Sequence, residues 1–263
     1  MIEVFSSGGG TQSAAITALI VQGRLPKPDI VVIADTGREM PTTWAYWDAV
    51  IVPALASVGV RAQRIPFEYQ IVPGHGKQWL DRSGKTILLP LWTNQSGSIG
   101  RFQGFCTGTW KRDVRNRYIR RIHGIKRSKS IVWIGYSFDE RKRIERMMKG
   151  KEYRRGLIWF PLVHGVLMRH EDSHRLIREM GWPPAPRSRC FDCPHQSDYE
   201  WREVKQDWPE YFQRAVERER EIQAFDPHCY YHQSCIPLDK VDFSRGDDLF
   251  SATAGCFAGT CFI

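Results

Sequence analysis

Near the amino end, Ser7-Gly8-Gly9-Gly10-Thr11-Gln12-Ser13 combines three consecutive glycines with flanking hydroxyls. Glycines open backbone conformations closed to residues with a Cβ, so several amide N–H groups can turn into one concavity. Ser13, Ala14, Ala15, Ile16, Leu19 and Ile20 follow at helical spacing. A helix N-terminus beside a nest of amides attracts anions, and phosphate is the natural guest. The Walker pattern is absent, because no Lys follows the glycines. The dinucleotide pattern fails too, since Gln12 and Ser13 stand where its last glycine belongs. An ordinary glycine turn between strand and helix would look the same in sequence.

The surrounding pattern says which elements must hold that loop. Glu3–Phe5 is a short strand run, and Asp29–Ala34 (DIVVIA) is the continuous apolar run expected of a strand buried on both faces. The latter ends in Asp35-Thr36-Gly37, and Pro41 then suits the first turn of a helix carrying Trp44, Trp47 and residues 50–52. With a third strand over Val58–Ile65, the first 65 residues read β-α-β-α-β, which predicts a doubly wound, mostly parallel sheet. In such sheets ligands sit at the carboxyl ends of strands, where both the glycine turn and Asp35-Thr36-Gly37 fall. Ser130–Gly135 predicts another buried strand, ending in the polar cluster Tyr136–Arg141, and Leu157–Leu162 a last one. Helices are predicted over Trp110–His123, His170–Met180 and Asp198–Phe225. Residues 66–108 read as a long polar excursion, with a short strand over Ile87–Trp92.

Composition narrows the class. The 263 residues are 42% hydrophobic and 25% charged, ordinary for a globular protein, and no apolar run reaches the length of a membrane span. The start runs directly into a strand without a signal peptide, so a cytoplasmic protein is expected, with its seven cysteines as thiols, metal ligands or redox groups. Net charge is +9, yet residues 111–155 alone hold 17 Lys/Arg against 5 Asp/Glu. Such a block is either a solvated helical face or a surface for a polyanion such as nucleic acid or a charged nucleotide. Lys111 is a point charge at the head of the basic helix, suited to phosphate. Asp139 and Glu140 with Arg141 read either as ligands for Mg²⁺ and ribose or as helix-capping acids.

Taken together, GGGTQS, ADTG, CTGTWK, IGYSFDER, FPL and SRCFDCPHQ resemble the phosphoadenosine phosphosulfate reductase-like branch of the PP-loop ATP pyrophosphatase superfamily, over about residues 3–220. The usual loop is SGGxxS, and here Gly8 replaces its first Ser. The resemblance implies an adenine nucleotide alpha hydrolase-like fold, with a nucleotide domain over 1–165 and a helical, cysteine-bearing C-terminal region over 166–263. It implies phosphates of ATP or adenylyl sulfate on Ser7, Gly8, Gly9, Gly10, Thr11, Gln12 and Ser13. Asp35, Thr36, Gly37 and Gly135 would lie near the nucleotide. Lys111, Asp139, Arg141 and Cys106 would carry the chemistry.

Cys190-x-x-Cys193 can grip zinc or an iron–sulfur cluster, or act as a redox dithiol. In sulfur-handling relatives, cysteines so placed serve as redox nucleophiles or hold a [4Fe–4S] cluster. The resemblance therefore implies one on Cys106, Cys190 and Cys193, with Cys256 or Cys261 as fourth ligand or an open position, and zinc as the alternative. The segment HCYYHQSC, with His228, Cys229, His232 and Cys235, reads as loop residues over an aromatic patch or a second zinc site. His195 is a cluster-orienting, acid/base or surface hydrogen-bonding side chain, and Trp92 and Trp110 could stack on bases. The expected function is adenylation of a nucleic acid or nucleotide for sulfur transfer, with a sulfur donor as partner. A homodimer is compatible with it. The alternatives are a thiol-dependent reductase of adenylyl sulfate, against which the tail GCFAGTCFI lacks the usual Glu and His, and a non-catalytic nucleic-acid-binding protein.

Overall fold

A computed structural model describes residues 1–70 and 77–246. They form two compact units, neither continuous in sequence. The first takes Met1–Gln70 and Trp110–Arg189, and the second takes the described residues 77–109 and 190–246. The excursion after Gln70 thus groups with the cysteine-bearing C-terminal part, whereas the sequence pointed to one boundary at 165.

In chain order the strands are β1 (Ile2–Ser6), β2 (Ile30–Ala34), β3 (Ala62–Ile65), β4 (Trp92–Thr93), β5 (Gly100–Arg101), β6 (Ser130–Ile134), β7 (Ile158–Trp159) and β8 (Cys229–Tyr230). The α-helices are α1 (Thr11–Val21), α2 (Pro41–Tyr46), α3 (Val52–Ser57), α4 (Asp113–His123), α5 (Arg141–Met148), α6 (Lys151–Arg154), α7 (His170–Glu179), α8 (Asp198–Asp207) and α9 (Pro209–Gln223).

The first unit is built on a five-stranded sheet in the order β3-β2-β1-β6-β7, parallel at every pairing, so the expected α/β architecture is present. Successive side chains point to opposite faces of a strand, and the core divides accordingly. Phe5, Val31 and Ile33 face α1, α3 and α7 through Ile16, Leu19, Leu55 and Leu176. Val4, Ile30, Val32 and Ile65 face Val114, Tyr118 and Ile119 of α4. Helices therefore cover both faces, and β2 is buried along its whole length. Nearly every residue of α1 is buried, because this helix lies between the sheet and α3 and α7 rather than at the surface. The run Leu157–Leu162 yields only a two-residue strand, since the chain turns at Pro161 into one wide helical turn, Pro161–Gly165.

The second unit carries a small antiparallel sheet, β5-β4-β8, and the helices α8 and α9. The single helix expected over Asp198–Phe225 is two. Trp208 is extended away from helical geometry (φ −138°, ψ 56°) because Pro209 follows it, and Pro209 then opens α9. Ser197 caps α8 by accepting from the Glu200 N–H, while the Glu200 carboxylate accepts from the Ser197 N–H at 2.9 Å. Trp201 anchors the packing, its ring against those of Phe212, Tyr231 and Phe243. No helix among the described residues is long and apolar enough to cross a membrane.

Candidate phosphate site at the carboxyl edge of the sheet

The chain lays β2 and β3 on one side of β1, then β6 and β7 on the other. The winding reverses between β1 and β6, and in open parallel sheets ligands bind beside the carboxyl ends of strands at such a reversal. The glycine loop leaves β1 there. Ser7 N–H donates to Val32 O at 2.8 Å, tying the loop to β2. Gly8 N–H donates to Ser13 Oγ at 2.9 Å and Gly9 N–H to Ser7 Oγ at 3.1 Å, so the two serines hold the loop from inside. Gly9 has φ +74°, and a Cβ on it would stand 2.7 Å from Thr43 Cγ2. A Cβ on Gly10 would stand 2.9 Å from the Ser188 nitrogen, because residues 186–188 pass over it.

Helix α1 starts at Thr11 with neither a side-chain cap nor an acidic residue in its first turn. Its first amides have no acceptor inside the helix, and they mark the positive end of its dipole. Gly8 and Gln12 are half-buried, and the rest of Ser7–Ser13 is buried. What the loop offers an anion is therefore this first turn, since the serines already accept from Gly8 and Gly9.

The turn after β2 lies in the same unit. The Asp35 carboxylate accepts from Gly37 N–H at 2.7 Å and from Arg64 at 2.6 Å, and the Arg64 guanidinium lies 3.6 Å over the Trp44 ring. Thr36 Oγ1 accepts from Arg38 N–H and donates to Glu39 Oε1. Gly37 (φ +67°) packs under Phe67. Lys111 Nζ sits 2.9 Å from Glu39 Oε1, and the Glu39 side chain is only 1% exposed. The Arg38 guanidinium is buried 4.2 Å over the Trp110 ring, which the sequence had suggested as a base-stacking platform. Gln70 Nε2 donates to both Asp35 O and Trp110 O, at 2.6 and 3.0 Å, joining this turn to the entry of α4. Arg38, Glu39 and Gln70 were missed in the sequence. The signal available was that Arg38 and Glu39 directly follow Asp35-Thr36-Gly37.

After β6, a Cβ on Gly135 would stand 3.1 Å from Ile16 Cδ1, so this glycine lets α1 cross the strand end. Ser137 donates N–H and Oγ to Glu140 Oε2, Gln12 Nε2 reaches the same oxygen at 3.4 Å, and Arg143 pairs with the other. Asp139 accepts from His170 N–H at 3.1 Å, and Arg141 lies over the Phe138 ring. Both Glu140 oxygens are taken up by these bonds and do not fit Mg²⁺, whereas Asp139 is engaged through Oδ2 alone.

The five described cysteines belong to the second unit. Cys106, Cys190 and Cys193 are partly exposed thiols, and Cys193 N–H closes a turn on Cys190 O at 3.3 Å. Among the described residues no three His, Cys, Asp or Glu side chains gather as a metal centre requires. The donor set expected of a [4Fe–4S] cluster or of zinc on Cys106, Cys190 and Cys193 is thus not assembled, and Cys256 and Cys261 lie outside the described residues. His195 Nδ1 lies 3.1 Å from Arg101, and Trp92 Nε1 donates to Pro194 O. In HCYYHQSC, burial and then the nearby Asp226 push the Cys229 thiol up to about 12, and burial also raises Cys235. His232 is occupied by Asp198 at 2.9 Å and Ser234 at 2.8 Å.

No family model, curated protein or solved structure matches the chain.

Proposed function

We propose that the chain is an ATP pyrophosphatase-type enzyme of the PP-loop, phosphoadenosine phosphosulfate reductase-like kind, with an adenine nucleotide alpha hydrolase-like fold. It adenylates an oxygen of a nucleic acid or nucleotide for sulfur transfer. The observation that carries this reading is the preformed Ser7–Ser13 loop at the reversal of the sheet, opening on an uncapped, acid-free α1 terminus.

The substrate oxygen attacks the α-phosphorus of ATP. The bond from that phosphorus to the α–β bridging oxygen breaks, and pyrophosphate leaves. The first-turn amides of α1 stabilise the charge building on the leaving group, and Lys111 supplies a cation at the same edge of the sheet. Glu39 holds Lys111 in place before the phosphates arrive. The terminal sulfur of a cysteine persulfide donor then attacks the activated carbon, and AMP departs with the oxygen; a second thiol of the donor cleaves the resulting S–S bond, releasing the thiolated product and leaving the donor as a disulfide.

The test is incubation of the protein with γ-labelled ATP and total cellular RNA. Labelled pyrophosphate released in proportion to RNA is the expected result. Absence of both ATP binding and pyrophosphate overturns the reading, and sulfite formed from adenylyl sulfate with thioredoxin would replace it by the reductase.

A further inference from the structure

We infer that the outer face of α4 and the turn after it form a track for the phosphate backbone of a nucleic acid, held without regard to base sequence.

A cavity of about 550 Å³ lies there, lined by Arg117, Arg120, Arg121, Lys126 and Arg127 together with Asp113 and Asn116. The positions 113, 116, 117, 120 and 121 recur at three- and four-residue spacing and share one side of the helix. The other side, Val114, Tyr118 and Ile119, is sealed into the sheet core. The 11 residues of α4 span roughly 16 Å, which matches about five nucleotides at 3.4 Å per step of one strand.

The charges are poorly balanced. Asp113 is already paired with Arg112 at 2.9 Å. Two cations are fixed by backbone carbonyls: Arg117 donates to Tyr69 O at 2.6 Å, and Arg127 to Ser130 O at 2.7 Å and Leu157 O at 3.1 Å. Glu152 lies 3.0 Å from Arg127 and offsets that one cation. Arg120, Arg121 and Lys126 are exposed, and among the described residues no carboxylate stands within ion-pair distance of them.

Beneath them Arg115 is 6% exposed, and its guanidinium bonds to Asn116 Oδ1 at 2.9 Å rather than to an acid. Burial, then repulsion from Arg127, pushes Arg115 down to about 9, which still leaves it charged at neutral pH. That bond uses the Asn116 oxygen and leaves its amide N–H groups as donors on a residue lining the cavity. A single phosphate would neutralise one or two of these cations, whereas a strand laid along the helix meets them in turn. Among the described residues no aromatic ring lines the cavity, so they offer bases no stacking platform and recognition rests on phosphates.

The track names the substrate class of the reading above and depends on that reading for its purpose, but binding there needs no ATP. The experiment is therefore run without nucleotide. Fluorescence anisotropy follows a labelled single strand of about 20 nucleotides, as RNA and as DNA, across a salt series. The wild type is compared with the triple variant Arg120→Ala, Arg121→Ala, Lys126→Ala.

All three side chains are exposed, and the melting temperature checks folding. Losing three phosphate contacts should flatten the slope of log K against log salt by about 2–3 and weaken binding about 100-fold near 0.1 M salt. Equal slopes and affinities for the two proteins would overturn the track. So would displacement of the strand by inorganic tripolyphosphate at matched phosphate concentration, which marks a small-anion site. Pyrophosphate release is read in a separate assay, so a failed nucleotide site with intact salt-dependent binding stays distinguishable from a failed track.

Discussion

Gly9→Ala isolates what the glycine loop requires of its sequence. Two separate costs are expected. A non-glycine residue at φ +74° is held in the left-handed region, at about 1–2 kcal/mol. The new Cβ would also stand 2.7 Å from Thr43 Cγ2 and 3.0 Å from Ile33 Cδ1, and overpacking of this kind costs about 1–3 kcal/mol. The sum is about 2–5 kcal/mol, or a melting temperature lower by roughly 4–20 °C. Thr43→Ser deletes the methyl that the Cβ meets. Alone it sacrifices one fully buried methyl, about 1 kcal/mol. In the Gly9→Ala background the same deletion removes most of the clash and leaves the conformational share. The double-mutant cycle, measured by urea denaturation, should therefore show a favourable coupling of about 1–3 kcal/mol. ATP binding by calorimetry should fall with Gly9→Ala and recover partly in the double variant. Additivity within about 0.5 kcal/mol would mean that the loop does not approach α2 this closely, and the argument for its glycines would collapse.

Other outcomes follow from the same structure. Lys111→Ala strands the buried Glu39 carboxylate, so it should destabilise the fold by about 3–5 kcal/mol, while adding Glu39→Gln should recover most of that loss in thermal melts. Pyrophosphate release by that double variant, which is folded but lacks the cation, should stay about 10²–10³-fold below wild type. Asp172 accepts from Arg169 N–H at the start of α7, a bond that holds its carboxyl below the usual range. Its stabilisation is present above the ordinary value of 3.8 and lost as pH falls through the lowered one. Asp172→Asn should then cost about 1 kcal/mol at neutral pH, and the cost should shrink as pH falls below 3.8, by denaturant titration across that range. Cys229, buried with its thiol raised to about 12, should resist iodoacetamide in the folded protein while the partly exposed Cys106, Cys190 and Cys193 react, as peptide mapping would show. Equal labelling of all four would refute its burial.

The parts of the fold readable in the sequence were those written in local pattern. β1, its glycine turn and α1 are contiguous, and the apolar runs at β2 and β6 carry their own strand signal. Lys111 and the Asp35 turn lie in one unit, joined through Glu39, but the ion pair itself was not legible, because it links residues 72 apart. The same limit hid the make-up of the second unit. Its strands are two residues long, too short to show alternation, and its halves are separated by eighty residues of the first. The break at Trp208-Pro209 was legible in principle, since a proline bars its predecessor from helical geometry, yet the amphipathic period ran through it. Asp139 and Glu140 illustrate a different gap. Carboxylates that serve a metal and carboxylates that cap a loop have one spelling, and only their hydrogen bonds tell them apart.

The all-parallel sheet also dictates when it can be completed on the ribosome. β1 lies at the middle of the sheet, and one of its two neighbours is β6, with Ile2 opposite Ser130. At about 5–20 residues per second, the nascent chain waits roughly 5–20 s between finishing β2 and emitting β6. Throughout that interval one margin of β1 carries unsatisfied backbone groups next to an apolar face. A chaperone shielding that margin during elongation, or a slow stretch of codons placed after residue 134 rather than before it, would raise the yield of folded protein.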